Sequence, residues 1–148
     1  MDLLESQLEL RLQTGSRKAA SGGELSLDYT LINRSARSVC VGAGSELVGG
    51  PSRIDPHEAC RTPGLVAPAG GSVRWSESWA SLWCYEEEDV DPEHREMLAG
   101  WICGAERSVR ARINVYELRR GKRQPGAVWV ESEPTVVELV SREKNFQR

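Results

Sequence analysis

Residues 24–33 alternate between apolar and polar positions: Leu25, Leu27, Tyr29 and Leu31 share one parity, Ser26, Asp28 and Thr30 the other, and Asn33-Arg34-Ser35 breaks the run. Successive side chains leave a strand on opposite sides, so a period of two predicts a strand with one buried and one wet face. The same pattern recurs along the chain. Leu8, Leu10 and Leu12 predict a first strand over 6–13, and the glycines and serines of 14–23 read as a loop. Val39 and Val41 predict a third strand after Ala36, with Cys40 on its opposite face. Val109, Ala111, Ile113 and Val115 predict a long strand that ends at Arg119-Arg120-Gly121-Lys122 in a hairpin turn. Residues 127–131 and 135–140 complete the set, with Pro134 marking an edge or a bulge because it has no amide hydrogen to give to a ladder.

Two segments need more than periodicity. Trp75, Trp79 and Trp83 are four apart, a spacing that fits one face of a strand and nearly one face of a helix. Gly70-Gly71 and the serines at 72, 76, 78 and 81 disfavour a helix, so 73–83 is read as a strand. Residues 91–100 read as the one short helix: Asp91 can cap the free amides, Pro92 fits the first turn, Glu93 complements the dipole and Gly100 can take a left-handed terminating conformation. Between these, residues 42–71 hold seven glycines and four prolines, with short strands only at 46–48 and 53–54. The pattern predicts an all-β chain: one antiparallel sandwich over 1–140, a short helix in a loop insertion, and a polar tail over 141–148.

At 148 residues the chain is long enough for one core that needs no metal or disulfide to hold it. Hydrophobic residues at 39% and charged residues at 28% exclude a disordered chain. A net charge of -3 gives no general attraction to nucleic acid, so none is expected as a partner. No apolar run approaches a membrane span, and Met1-Asp2-Leu3-Leu4-Glu5 lacks the features of an export signal, so no membrane association and a cytoplasmic location are the expectations.

Cys40, Cys60, Cys84 and Cys103 form no C-x-x-C pair. A mixed zinc site from His57, Cys60 and either later cysteine has poor spacing. Two loop-closing disulfides, Cys40 with Cys60 and Cys84 with Cys103, would require an oxidising compartment; without an export signal the expectation is four free thiols and no zinc. Only His57 and His94 are available to activate a nucleophile, and His57 near Cys60, Asp55 and Glu58 does not by itself make a dyad, so no catalytic residue and no cofactor are assigned. The acidic run Glu86-Glu87-Glu88-Asp89 does not have the spacing of a calcium loop and reads as solvated. Between Arg107 and Arg123 seven basic residues accompany Glu117 alone, so Arg110, Arg112 and Tyr116 form a candidate positive stripe, or an outer face that complements acids of the same molecule. Asn33-Arg34-Ser35 matches a glycosylation sequon and otherwise reads as a strand-ending turn.

Gly23-Glu24 leading into Leu25, Leu27 and Tyr29, the Leu31-Ile32-Asn33-Arg34-Ser35 strand end, and 65–71 leading into Trp75 and Trp79 together resemble bacterial immunoglobulin-like sandwiches, in particular the intracellular proteinase inhibitor family. The resemblance spans about half the chain and implies a fold more than an activity; the four cysteines, the glycine- and proline-rich excursion and the acidic insertion depart from it. The expectation is therefore a non-enzymatic module that recognises another protein through its long loops, with protease inhibition as the alternative and a cysteine- or metal-dependent hydrolase argued against. Arg53, Ile54 and His57 in the first excursion and Trp101 in the second are the candidate contacts, with the Arg110, Arg112 and Tyr116 strand face as the other surface. A homo-oligomer is compatible with the same features.

Overall fold

A computed structural model describes residues 3–42, 46–48, 65–79 and 83–141. Eleven strands run in chain order: β1 (Leu8–Thr14), β2 (Lys18–Ala20), β3 (Leu25–Asn33), β4 (Ser38–Val41), β5 (Glu46–Val48), β6 (Val66–Ala67), β7 (Ser72–Trp79), β8 (Glu106–Arg119), β9 (Lys122–Arg123), β10 (Val128–Glu131) and β11 (Thr135–Val140). They form a three-stranded antiparallel sheet, β1-β3-β7, and a mixed sheet with the path β2-β11-β8-β4-β6, to which β5, β9 and β10 add through β8. All-β character follows directly from the alternation. In β3 the burial of Leu25, Leu27, Tyr29, Leu31 and Asn33 alternates without a break, and in β8 Arg107, Val109, Ala111, Ile113 and Val115 do the same. Side chains from both sheets share one hydrophobic core.

β8 organises the larger sheet. Val115 pairs with Val41 of β4 on one edge and Val128 of β10 on the other; Arg112 likewise stands between Glu46 of β5 and Glu131 of β10. The expected turn at its end is a two-residue hairpin, Arg119 pairing with Lys122 and both Arg120 (φ 51) and Gly121 (φ 76) in the left-handed region, which suits the twist of the flanking strands. Pro134 sits in a bulge. Between the pairs Glu131–Arg112 and Thr135–Val109, three residues on one strand oppose two on β8. The buried Ser132 repairs the interruption: its hydroxyl accepts from the Ala111 amide at 2.8 Å, its own amide donates to the Ala111 carbonyl at 2.9 Å, and it bridges to Leu10 of β1, tying the two sheets together.

Asn33 holds the opposite corner. It is 1% exposed; its Nδ2 donates to the carbonyls of Arg37 (2.7 Å), Ala67 (3.1 Å) and Pro68 (3.1 Å), and its Oδ1 accepts from the amide (3.0 Å) and hydroxyl (2.6 Å) of Ser35. The sequon asparagine is thus a buried structural group. Above it, the Tyr29 ring stacks on Trp75 with centroids 5.1 Å apart. Burial pushes the Tyr29 phenol well above its ordinary range, and the Glu77 carboxylate beside it acts in the same direction.

Several expectations are corrected. The segment 91–100 is not a helix of the α type: successive amides reach back three residues, in short 3-10 turns at Pro92–His94 and Ala99–Trp101, and only the Leu98 amide bonds to a carbonyl four back, that of His94. Asp91 makes no capping bond; its carboxylate lies 3.7 Å from His94 Nδ1 instead, and Gly100 lies within a turn rather than ending one. The loop over 14–23 contains β2, which pairs in parallel with β11, and the excursion contains β6. Cys40, on the face of β4 opposite Val39 and Val41, is fully buried along with them. Of the expected tail, Ser141 is buried and 142–148 lie outside the described residues.

Two outcomes test this description. Asn33→Asp points an anion at three carbonyls and should cost about 3 kcal/mol or more in urea unfolding. Folding raises the Tyr29 pKa, so its contribution is complete below the unfolded value and fades as pH rises past it. Stability should therefore decline above about pH 10, and Tyr29→Phe should flatten that decline, read as urea midpoints against pH.

Candidate recognition surface

The segment between β7 and β8 leaves the sheets and returns to nearly the same point. Cys84 and Cys103 are joined by a disulfide with Cα atoms 5.0 Å apart. Beside it the Tyr85 amide donates to the Trp101 carbonyl and the Cys103 amide to the Tyr85 carbonyl, both at 2.8 Å. The expectation of free thiols is therefore wrong at these two positions. Cys40 is also disulfide-bonded; its expected partner, Cys60, lies outside the described residues. The 19-residue separation brings the two Cα atoms within the range a disulfide spans.

The closed segment is fastened to the sheets at several points. The Gly104 amide donates to the Leu139 carbonyl at 2.7 Å, the Cys84 amide to the Ser21 hydroxyl at 3.2 Å, and the Ser141 hydroxyl to Glu86 Oε1. The Arg107 guanidinium lies 3.6 Å from the centre of the Trp101 ring, and Val90 is buried. Burial lowers the Arg107 pKa, a cost that stacking on the indole face partly offsets. The segment leaves Tyr85 and Met97 52% and 69% exposed, and Trp83, just before it, is 61% exposed. Its acidic residues are mostly solvated, with Glu87 paired to Arg95 at 3.3 Å.

The sequence-predicted contacts divide. Arg53, Ile54 and His57 lie outside the described residues. Trp101 is half-buried under Arg107 and serves as an internal fastening rather than an outward anchor. Arg110, Arg112 and Tyr116 do share the outer face of β8, as their parity requires, but the stripe is locally compensated. Glu131 lies 3.6 Å from Arg110 and 3.5 Å from Arg112, Arg112 stacks on Trp129 at 4.1 Å, and Arg123 stacks on Tyr116 at 4.8 Å. Compensation comes from β10 across the ladder, not from the acidic run. Sequence reasoning missed Trp83, Tyr85 and Met97; the signal was available in Trp83 and Tyr85 flanking a core-facing cysteine.

The paired Cys84 and Cys103 sulfurs offer no thiolate to a mixed zinc set; His57 and Cys60, the other members of that set and the candidate nucleophile pair, lie outside the described residues. Among the described residues no three histidine, cysteine or acidic side chains gather as a metal cluster. Among the described residues no helix is long and apolar enough to cross a membrane.

No protein-family model matches the chain, and no curated protein matches it. Among solved structures, one similar chain is the structural-genomics target SoR45, at 7% identity and a TM-score of 0.46, with 92% of this chain and 89% of that one covered. Another is a β-glucosidase from Listeria innocua in complex with glucose, at 15% identity and a TM-score of 0.32; this chain spans 16% of its length.

The disulfide closes this segment covalently, and among the described residues one isolated bridge, Tyr85 with Ile102, is the ladder contact within it. Replacing both Cys84 and Cys103 with serine should cost about 3 kcal/mol in urea unfolding. It should also open 85–102 to a glutamate-specific protease while the β circular-dichroism signal persists.

Proposed function

We propose that the chain is a non-enzymatic recognition module, an immunoglobulin-like sandwich that presents its disulfide-closed segment to another protein. The sandwich reading is supported by the division of β1, β3 and β7 from the remaining strands over one core, and by β2 crossing to pair in parallel with β11. The observation that carries the functional reading is the exposure of Tyr85 and Met97 on a segment stapled at both ends, with Trp83 exposed immediately before the staple. Aromatic and methionine side chains are enriched at interfaces, and a pre-closed loop loses less freedom on binding. Three disulfide-bonded cysteines, Cys40, Cys84 and Cys103, fit an oxidising compartment better than the cytoplasm.

Protease inhibition is the second reading. It is favoured by the same closure, because a loop held at both ends by a disulfide resists release after docking in a protease cleft. A panel of purified proteases separates it from general recognition: inhibition by the wild-type chain that is lost in the serine double variant supports it.

Capture of a binding protein from a cell extract tests the main reading. Capture should fall sharply in the Cys84→Ser, Cys103→Ser variant and persist in an Arg112→Ala, Trp129→Ala variant. The reverse pattern would transfer recognition to the Arg110, Arg112 and Tyr116 face and sink the loop assignment.

A further inference from the structure

The chemistry of the partner can be read from how this chain treats its own aromatic rings. Seven aromatic side chains are described, and five have a ring partner. Tyr29 and Trp75 stack on each other inside the core. Trp101, Tyr116 and Trp129 each lie under an arginine, from Arg107, Arg123 and Arg112 respectively. The remaining two, Trp83 and Tyr85, have no ring contact or cation over them among the described residues, and they are the most exposed rings. They also flank one residue: Cys84 between them packs against the core, while both rings stand in solvent.

The charge that follows them has one sign. Residues 86–96 hold Glu86, Glu87, Glu88, Asp89, Asp91, Glu93 and Glu96 against Arg95 and His94. Glu86 is engaged by Ser141, Glu87 by Arg95 and Asp91 by His94, whereas Glu88, Asp89, Glu93 and Glu96 form no ion pair among the described residues. An exposed indole and an exposed phenol two residues apart in the chain, followed by unneutralised carboxylates, are complementary to a cation that is planar and weakly hydrated. Such a group stacks on the ring face and donates in a fork to a carboxylate.

Resting on the recognition reading above, we propose that Trp83 and Tyr85, with Glu88 and Asp89, receive arginine side chains from an extended basic segment of a partner protein. The disulfide fixes the two rings at the root of the acidic segment, so stacking and carboxylate pairing are available to one peptide. Arginine is preferred to lysine because a guanidinium uses both contacts with the same plane, whereas an ammonium is a compact, strongly hydrated charge.

The test uses the full oxidised chain and short peptides that alternate glycine with arginine, lysine or citrulline, the last an uncharged isostere of arginine. Binding is followed by calorimetry and by quenching of tryptophan fluorescence. The arginine peptide should bind most tightly, the lysine peptide less, the citrulline peptide not measurably, and added salt should weaken the first two. Trp83→Ala with Tyr85→Ala should weaken arginine-peptide binding about tenfold. Trp83→Phe with Tyr85→Phe should recover most of the loss, and Trp129→Ala should have no effect; equal urea midpoints establish that each variant is folded. Equal binding of arginine and citrulline peptides, or an alanine double variant that binds as well as wild type, would overturn the proposal. So would salt-sensitive self-association in sedimentation that the double variant abolishes, since the occupant would then be a second copy. Failure here with capture still dependent on the Cys84–Cys103 closure leaves the recognition reading standing; capture indifferent to that closure defeats the reading itself.

Discussion

The rest of the molecule depends on the uninterrupted alternation of β8. Val109, Ala111, Ile113 and Val115 are each no more than 1% exposed, and a strand able to place four successive inward residues in a shared core must stay straight and keep its register. Both of its edges are used, by β4 and β5 on one side and by β9, β10 and β11 in succession on the other. Shifting β8 by one residue would put Arg110 and Arg112 into the core and the valines into water, and every strand paired with it would follow. The corner at Asn33 and the bulge at Ser132 are secondary to this: they supply hydrogen bonds where the chain must turn away from a ladder that β8 has already set.

The long strands were legible because burial and periodicity coincide in them. β1, β3, β7 and β8 lie within a few residues of where alternation places them, and the Pro134 bulge follows from a missing amide hydrogen. β2 and β6, of three and two residues, are too short for any period to show; they exist because β11 and β4 have edges for them to join. At 91–100 each local helix signal was present. None had a partner, however, since among these residues no side chain is buried against the core and helical propensity alone does not stabilise so short a segment.

The candidate surface was less legible, for an electrostatic reason. An arginine-rich strand reads as a positive surface when only its own residues are counted. Its charge is set by neighbours across the ladder, and Glu131 stands two residues from Trp129 on a strand the sequence does not place beside Arg112. Trp101 had the residue type of an interface anchor, yet the chain's own Arg107 occupies its face. The type of a residue was visible in both cases; whether it was already engaged was not.

The 5.0 Å separation of the Cys84 and Cys103 Cα atoms has a consequence for how the domain can change. From the side of the sheets, the whole insertion is equivalent to a short gap closed by one covalent bond, and little of what lies inside it reaches the core apart from Val90. The stretch between Glu86 and Trp101 can therefore vary in length and composition without altering strand order or register, provided the two sulfurs still meet and Trp101 still covers the buried Arg107. The sheets constrain the frame, and the sequence within the frame is free to be selected for what it touches.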